Sequence, residues 1–367
     1  MNFFEFPGVK ISALAAAVPD NCQINMDLAD LFAAAEMQKF CENTGIWERY
    51  VSKNGITASD LCVAAANEIF DKLDVDRASI DGLLFISQTP DYMAPPTSCV
   101  IQHRLGLDNC GLVFDSNIGC TGFPYGVQMA CANIMAGCKK ILLLVGDADP
   151  ERGWNGNISK DSLLFGDCGA AAIIERTDEP VSPIRCNLHT IGKGYKSLLT
   201  PFGAARHQIA DLYRERGGEG LEGMFVAGGV MEGTDVFTFS ITDAPKTAKQ
   251  FFTHFECTAD SYDLISIHQA NKMIVENVVK RIKAPKEKVI MSLDRFGNTR
   301  GASTALNICD YAMREGIHTG TKHILNLAFG IGLNVAIADF ELDMSRCLPI
   351  IKTSEAFDDG INNYTYF

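Results

Sequence analysis

Three side chains in this sequence occupy settings that could carry chemistry. Cys120 lies in "FDSNIGCTGFPYG", where a strand-like approach meets Gly119 and a helix-like run follows. Unpaired N–H groups and the dipole at a helix start favour a thiolate. Gly119 and Gly122 permit a sharp turn and a close approach of a substrate carbonyl. The plainer reading is a packing cysteine, which is how we read the other twelve. His268 lies in "ISIHQAN", directly after an apolar strand-like run. The C-terminal ends of α/β strands are where sites open, so an imidazole there can act as a base rather than as a buried structural histidine. Asn298 lies in "RFGNTRGAS", between Gly297 and a helix-like run, where plain turn chemistry is the ordinary alternative.

The elements around these residues read as α/β, because strand-like and helix-like runs alternate. "DGLLFIS" (81–87) and "KKILLLVGDA" (139–148) are buried-strand patterns, and "PPTSCVIQHRLGL" between them is a helix with proline near its start. "GFPYGVQMACANIMAG" (122–137) is apolar on nearly every face, which predicts a helix enclosed between two layers. The second half repeats this grammar. "SYDLISIHQA" (261–270) parallels the strand at 81–87, and "TKHILNLAFGIGLNVAIADFEL" (321–342) parallels "CKKILLLVGDA" followed by "FGDCGAAAIIERT". The first half differs by inserting "DPERGWNGNISKDSLL" into the return. We therefore expect a Cys-bearing half at 1–180, a connecting excursion at 181–224, a His- and Asn-bearing half at 225–342, and a tail at 343–367 of unassigned role, with the site at the seam.

Composition narrows the function classes. Over 367 residues, 47% are apolar and 21% charged, as in a folded globular protein rather than a disordered one. The net charge of −13 disfavours general nucleic-acid or anionic-membrane binding. Thirteen scattered cysteines without a Cys-x-x-Cys pair suit free thiols in the cytoplasm. The opening "MNFFEFPGVKISALAAAVPDN" has no basic leader, and its apolar run is too short to span a bilayer. The glycine clusters at 217–220 and 228–229 lack the strand–Gly-x-Gly-x-x-Gly–helix context of a dinucleotide site, and no metal or redox cofactor is expected.

Four motifs, "GCTGFPYG", "HQANKMI", "LDRFGNTRGAS" and "AFGIGLNVAIADF", in this order and spacing resemble 3-oxoacyl-acyl-carrier-protein synthase III of the thiolase superfamily. The likeness extends over residues 10–342, with "ENTGIWERYVS" (42–52) and "LLFGDCGAAAI" (163–173) as further similar segments. It implies a duplicated, layered α-β-α-β-α fold and a homodimer. By the same resemblance, Cys120 takes an acyl group from a thioester, and the N–H groups of Cys120 and Gly332 form the oxyanion hole. His268 and Asn298 would then stabilise the enolate left when a malonyl-type thioester loses carbon dioxide. Ala94, Phe237, Asn271 and Phe329 are the implied substrate-binding positions.

Departures from the family bear on substrate. A Trp and an Arg that help hold coenzyme A in the family correspond to Lys39 and Asn43, and an Arg after the His motif corresponds to Met273. These changes favour a carrier-protein-bound acyl donor. Ala94 replaces an aromatic residue that closes the acyl pocket in some members, which leaves room for longer or branched groups. Within an acidic chain, "NKMIVENVVKRIKAPKEK" carries Lys272, Lys280, Arg281 and Lys283, which could dock an acidic acyl carrier protein. The same residues would equally serve as the basic end of a solvated helix. Transfer to a hydroxyl or amine, a Cys–His hydrolase and a non-catalytic scaffold are the alternatives to condensation. The first is opposed by Asn298, the second by the duplicated halves, and the third by retention of all three residues.

Overall fold

The computed structural model describes residues 2–29, 31–149, 160–201, 204–208, 214 and 230–361. Two six-stranded sheets organise the chain. The first runs in the order Ile351–Thr353, Val9–Pro19, Cys168–Arg176, Lys140–Asp147, Gly82–Ile86, Leu112–Ser116. The second runs Asn2–Phe6, Ile184–Thr190, Asn334–Asp343, Thr321–Gly330, Leu264–Ile267, Val289–Ile290. After its edge strand, each sheet has two antiparallel pairings followed by two parallel ones. The repeat seen in the sequence is therefore a repeat of topology. The long return strands are near-continuous apolar runs, as "CGAAAIIER" shows, because helices cover both of their faces.

Two expected boundaries shift. The supposed excursion at 181–224 contains the strand Ile184–Thr190, which pairs with both Asn2–Phe6 and Asn334–Asp343. Its alternation of Ile184, Cys186 and Leu188 is the period-2 signal of a strand, and the second half begins here rather than at 225. Most of the polar segment 203–222 lies outside the described residues. The first part of the supposed tail, residues 343–353, also belongs to the fold. Cys347 is buried, the Leu348 N–H donates to the Leu14 carbonyl at 2.8 Å, and Ile351–Thr353 pairs with Val9–Pro19.

Helices fill three layers. Gly122–Ala136 and Ser303–Glu315 lie between the sheets, where Phe123, Val127, Leu306 and Ile308 join one core with residues of both. As the sequence suggests, the Gly122–Ala136 helix is buried or half-buried along its length until Met135 and Ala136. Ala58–Lys72 and Thr97–Arg104 cover the outer face of the first sheet; Gly233–His254 and Lys272–Ile282 cover that of the second. Each fully buried Leu or Ile in these layers is worth about 1.5–3 kcal/mol relative to exposure. Packing at the outer layer is close: a Cβ on Gly169 would fall 2.4 Å from the Cys62 nitrogen.

Candidate active site

The second half reaches the nucleophile turn through small residues. Cys120 follows Gly119 and precedes the Gly122–Ala136 helix, with the Gly122 N–H donating to the Gly119 carbonyl at 2.7 Å. A Cβ on Gly330, at the end of strand Thr321–Gly330, would lie 2.7 Å from Cys120 Sγ. A Cβ on Gly301 would lie 2.9 Å from the Gly119 carbonyl oxygen. Larger residues at either position would push the halves apart. Sequence motifs near 120, 298 and 330 thus converge.

Cys120 is half-buried. Burial pushes its thiol up to about 11; the Ile331 N–H, turned toward the sulfur, opposes that shift, Asp147 adds to it and Arg300 opposes it. The expectation that a helix start would favour the thiolate is therefore corrected: desolvation outweighs the N–H groups in the free protein. The backbone N–H that bonds toward Cys120 Sγ is that of Ile331, the residue before the expected Gly332.

His268 follows strand Leu264–Ile267 and is 2% exposed. Its Nδ1 lies 2.7 Å from Ser303 Oγ, and its ring meets Phe329 edge to face at 5.7 Å. Burial depresses the imidazole to about 4, so it is neutral at pH 7. The Ser303 contact occupies Nδ1 and leaves Nε2 as the ring nitrogen free to meet a substrate. Ser303 was not identified from sequence, although it closes the "RFGNTRGAS" motif five residues after Asn298.

Asn298 is fixed from both sides. Its N–H donates to the Leu164 carbonyl at 2.8 Å, and its carbonyl accepts from Gly166 at 3.1 Å. These bonds require the close contact in which a Cβ on Gly297 would meet the Leu164 oxygen at 2.9 Å. Asn298 Oδ1 accepts the Arg300 N–H at 2.9 Å, which leaves Nδ2 as the donor end of the amide.

The other candidate residues divide. Phe329 is buried against His268. Phe237 is half-buried in helix Gly233–His254, against the outer core of the second sheet. Asn271 is the N-cap of helix Lys272–Ile282, its Oδ1 accepting the Ile274 N–H at 2.9 Å, so its side chain is committed to the fold. Ala94 is exposed in the loop before helix Thr97–Arg104. Lys272, Lys280, Arg281 and Lys283 are all exposed, as are Lys39, Asn43 and Met273. Helix Ala34–Thr44, which carries Lys39 and Asn43, packs beside helix Lys272–Ile282. No helix among the described residues is long and apolar enough to cross a membrane.

Duplicated sheets with a buried helix behind a cysteine, and a His and an Asn brought in by the second half, define a thiolase-like acyl-transferring enzyme. Residues 114–192 match the family model for 3-oxoacyl-[acyl-carrier-protein (ACP)] synthase III, and residues 253–342 match its C-terminal model. The chain is 30% identical over 319 residues to a beta-ketoacyl-[acyl-carrier-protein] synthase III of Caldanaerobacter subterraneus subsp. tengcongensis, covering 87% of this chain and 93% of that one. A 3-oxoacyl-(acyl-carrier protein) synthase from Burkholderia xenovorans LB400 superposes with a TM-score of 0.85 at 27% identity, covering 96% of this chain and 99% of that one. The priming beta-ketosynthase of the R1128 polyketide pathway does so with a TM-score of 0.77 at 25% identity, covering 94% and 98%. The chain belongs to the 3-oxoacyl-acyl-carrier-protein synthase III family. It is an acyltransferase that condenses an acyl thioester with a malonyl-type thioester.

Proposed function

We propose that Cys120 carries the acyl group and that His268 and Asn298 act together on the malonyl-type partner. Cys120 Sγ attacks the thioester carbonyl, giving acyl-Cys120 and a free carrier thiol, which takes the proton. The second thioester then loses carbon dioxide. The electron pair of the broken C–C bond passes to the α-carbon and is delocalised onto the thioester oxygen, where His268 Nε2–H and Asn298 Nδ2–H both donate. Neither donor need lose a proton, and neither carries a positive charge that would hold the malonyl carboxylate and oppose its loss as carbon dioxide. The α-carbon attacks acyl-Cys120, the N–H groups of Cys120 and Ile331 receive the oxyanion, and collapse expels the Cys120 thiolate.

The observation that carries this reading is the pairing of fixed orientations. Ser303 Oγ occupies His268 Nδ1, which leaves Nε2 to donate, and the Arg300 N–H occupies Asn298 Oδ1, which leaves Nδ2 to donate. Two neutral donors held this way suit an enolate better than the hydroxyl or amine acceptor of a simple acyl transfer. The test is acyl thioester followed by carboxyl-labelled malonyl carrier protein: label should leave as carbon dioxide in step with product. Transfer of the acyl group with no carbon dioxide release would overturn the reading.

Several features favour a carrier-protein-bound acyl donor. Lys39, Asn43 and Met273 correspond to positions where the family holds coenzyme A; all three are exposed, Met273 on the helix that presents Lys272, Lys280 and Arg281 and is capped by Lys283. An acidic carrier protein would be steered to such a face. We further propose that the enzyme works as a cytoplasmic homodimer, with Ala94 from one subunit facing the acyl pocket of its partner.

A further inference from the structure

Behind His268 lies a buried polar network that the proposed chemistry does not use. At its centre is Asn307, one turn after Ser303 on helix Ser303–Glu315 and fully buried. Its Nδ2 donates to the Ile267 carbonyl at 3.1 Å and to Ser266 Oγ at 3.2 Å. Its Oδ1 accepts from Ser292 Oγ. The hydrogens can be assigned from the partners alone. The Ile267 carbonyl only accepts, so the amide nitrogen must face it. Ser266 gives its own proton to the Thr304 carbonyl at 2.8 Å and accepts from Nδ2, and the Ser292 hydroxyl is left to donate to Oδ1.

The two ends of this amide hold the backbone segments that carry His268 and Asn298. The Ile267 carbonyl belongs to the peptide that joins Ile267 to His268, and Gln269 Nε2 donates to the same oxygen at 2.8 Å. Ser292 lies directly before helix Leu293–Phe296, and its carbonyl accepts the Arg295 and Phe296 N–H groups, each at 3.1 Å. That one-turn helix leads through Gly297 to Asn298. The Ser292 N–H donates to Gln269 Oε1 at 3.3 Å, so the two segments are bridged a second time, and Gln269 Nε2 also reaches the Ile290 carbonyl at 3.3 Å. Ser266, Gln269 and Ser292 are all buried. Ser303 and Asn307, four residues apart on one helix face, thus meet the His268 ring and the peptide before it.

We propose that Asn307 is a positioning residue for the decarboxylating step: by joining the Ile267 carbonyl to Ser292, it sets the spacing between His268 Nε2 and Asn298 Nδ2. Two donors serve one developing oxyanion only when both lie within hydrogen-bond distance of the same point, and a misplacement of about 1 Å can cost about 10²-fold. Packing alone would be met by an apolar residue, as it is at Ala305, Ile308 and Ala312 of the same helix. The amide at 307 instead spends both N–H groups and its oxygen on the segments that lead to the two donors. None of its hydrogen bonds goes to the Cys120 turn, so acylation should be spared. The inference deepens the enolate reading of His268 and Asn298 and rests on it.

The experiment follows single turnovers. Acyl-Cys120 formation is read by intact mass, and carbon dioxide release is then read from the preloaded acyl-enzyme with carboxyl-labelled malonyl carrier protein. Asn307→Ala should slow release about tenfold while acylation stays within about twofold of the parent. Asn307→Asp adds a readout that packing alone would not move. Its ionised carboxylate would face the Ile267 carbonyl oxygen, whereas the neutral acid can donate to it. Release from preloaded Asn307→Asp should therefore rise about threefold or more as pH falls from 9 to 6, a rise the parent should not share. Equal slowing of both steps in Asn307→Ala, unslowed release, or a pH profile of Asn307→Asp that matches the parent overturns the proposal. Should Asn307→Ala fail to fold, Ser292→Ala decides: release slowed about threefold with acylation intact supports the proposal, and equal slowing of both steps or none refutes it. Absence of carbon dioxide release from the acylated parent would instead sink the enolate reading itself, and this inference with it.

Discussion

The two halves share one strand order yet place different chemistry at equivalent strand ends. Strand Gly82–Ile86 ends in Ser87 and Gln88, which bind Asp147. Its counterpart Leu264–Ile267 ends in His268. Strand Lys140–Asp147 ends in the buried Asp147 carboxylate, whereas Thr321–Gly330 ends beside the Ile331 N–H that faces Cys120. On the proposed reading, the first half supplies the nucleophile and the polar groups that hold its turn, and the second supplies the enolate donors. Duplication gives two sets of strand ends pointing at one seam, and single residues at those ends decide the reaction.

Variants on the two sides should separate accordingly. The largest effect is expected in the first half: Cys120→Ala should abolish the acyl mass increment seen on incubation with acyl donor. In the second half, His268→Ala and Asn298→Ala should retain acylation while condensation falls about 10²–10³-fold, the usual cost of losing an oxyanion-type donor. If either variant lost acylation as completely as Cys120→Ala, the division of labour between the halves would be wrong. Ser303→Ala should be milder. It frees the His268 ring without removing its donor, so condensation should fall about tenfold with acylation intact, measured in single turnover.

The candidate site was legible where chemistry and local pattern coincide: Cys120 and His268 follow strand-like runs, and Asn298 follows a glycine ahead of a helix-like run. Pairing across the molecule was not. Asn2–Phe6 completes the second sheet and Ile351–Thr353 the first, so the terminal strands cross between halves. Hydrophobic period predicts a strand but not its neighbour. The same limit hid Ile331, since which N–H of a Gly-x-Gly turn faces the thiol depends on backbone angles. Ser303 was in plain view within a quoted motif, but its partner, His268, lies at the end of a distant strand.

The pH dependence sharpens the comparison further. His268, depressed to about 4 by burial, stays neutral from pH 5 to 8, so no histidine limb should appear in condensation over that range. The sign for stability follows. With its folded pKa below the unfolded value, neutral His268 contributes stability present above about pH 6.5 and lost as pH falls toward 4, which an acid melt would show. Cys120 behaves oppositely in reactivity: with its thiol raised to about 11, alkylation should climb steadily through pH 8 to 10. The smallest effect is expected at the surface. Charge reversal of Lys280 and Arg281 should weaken carrier-protein substrates a few fold, and less at high salt, while sparing small thioesters. Equal losses for both substrate types would remove the docking face from the account.

The central claim is that acylation and enolate formation are served by different halves meeting at one seam. It is tested most directly by loading Asn298→Ala with an acyl group, adding carboxyl-labelled malonyl carrier protein, and following intact mass and released carbon dioxide together. The account predicts an acyl-enzyme that persists while carbon dioxide release stalls. Release and product formation at the parent rate would contradict it.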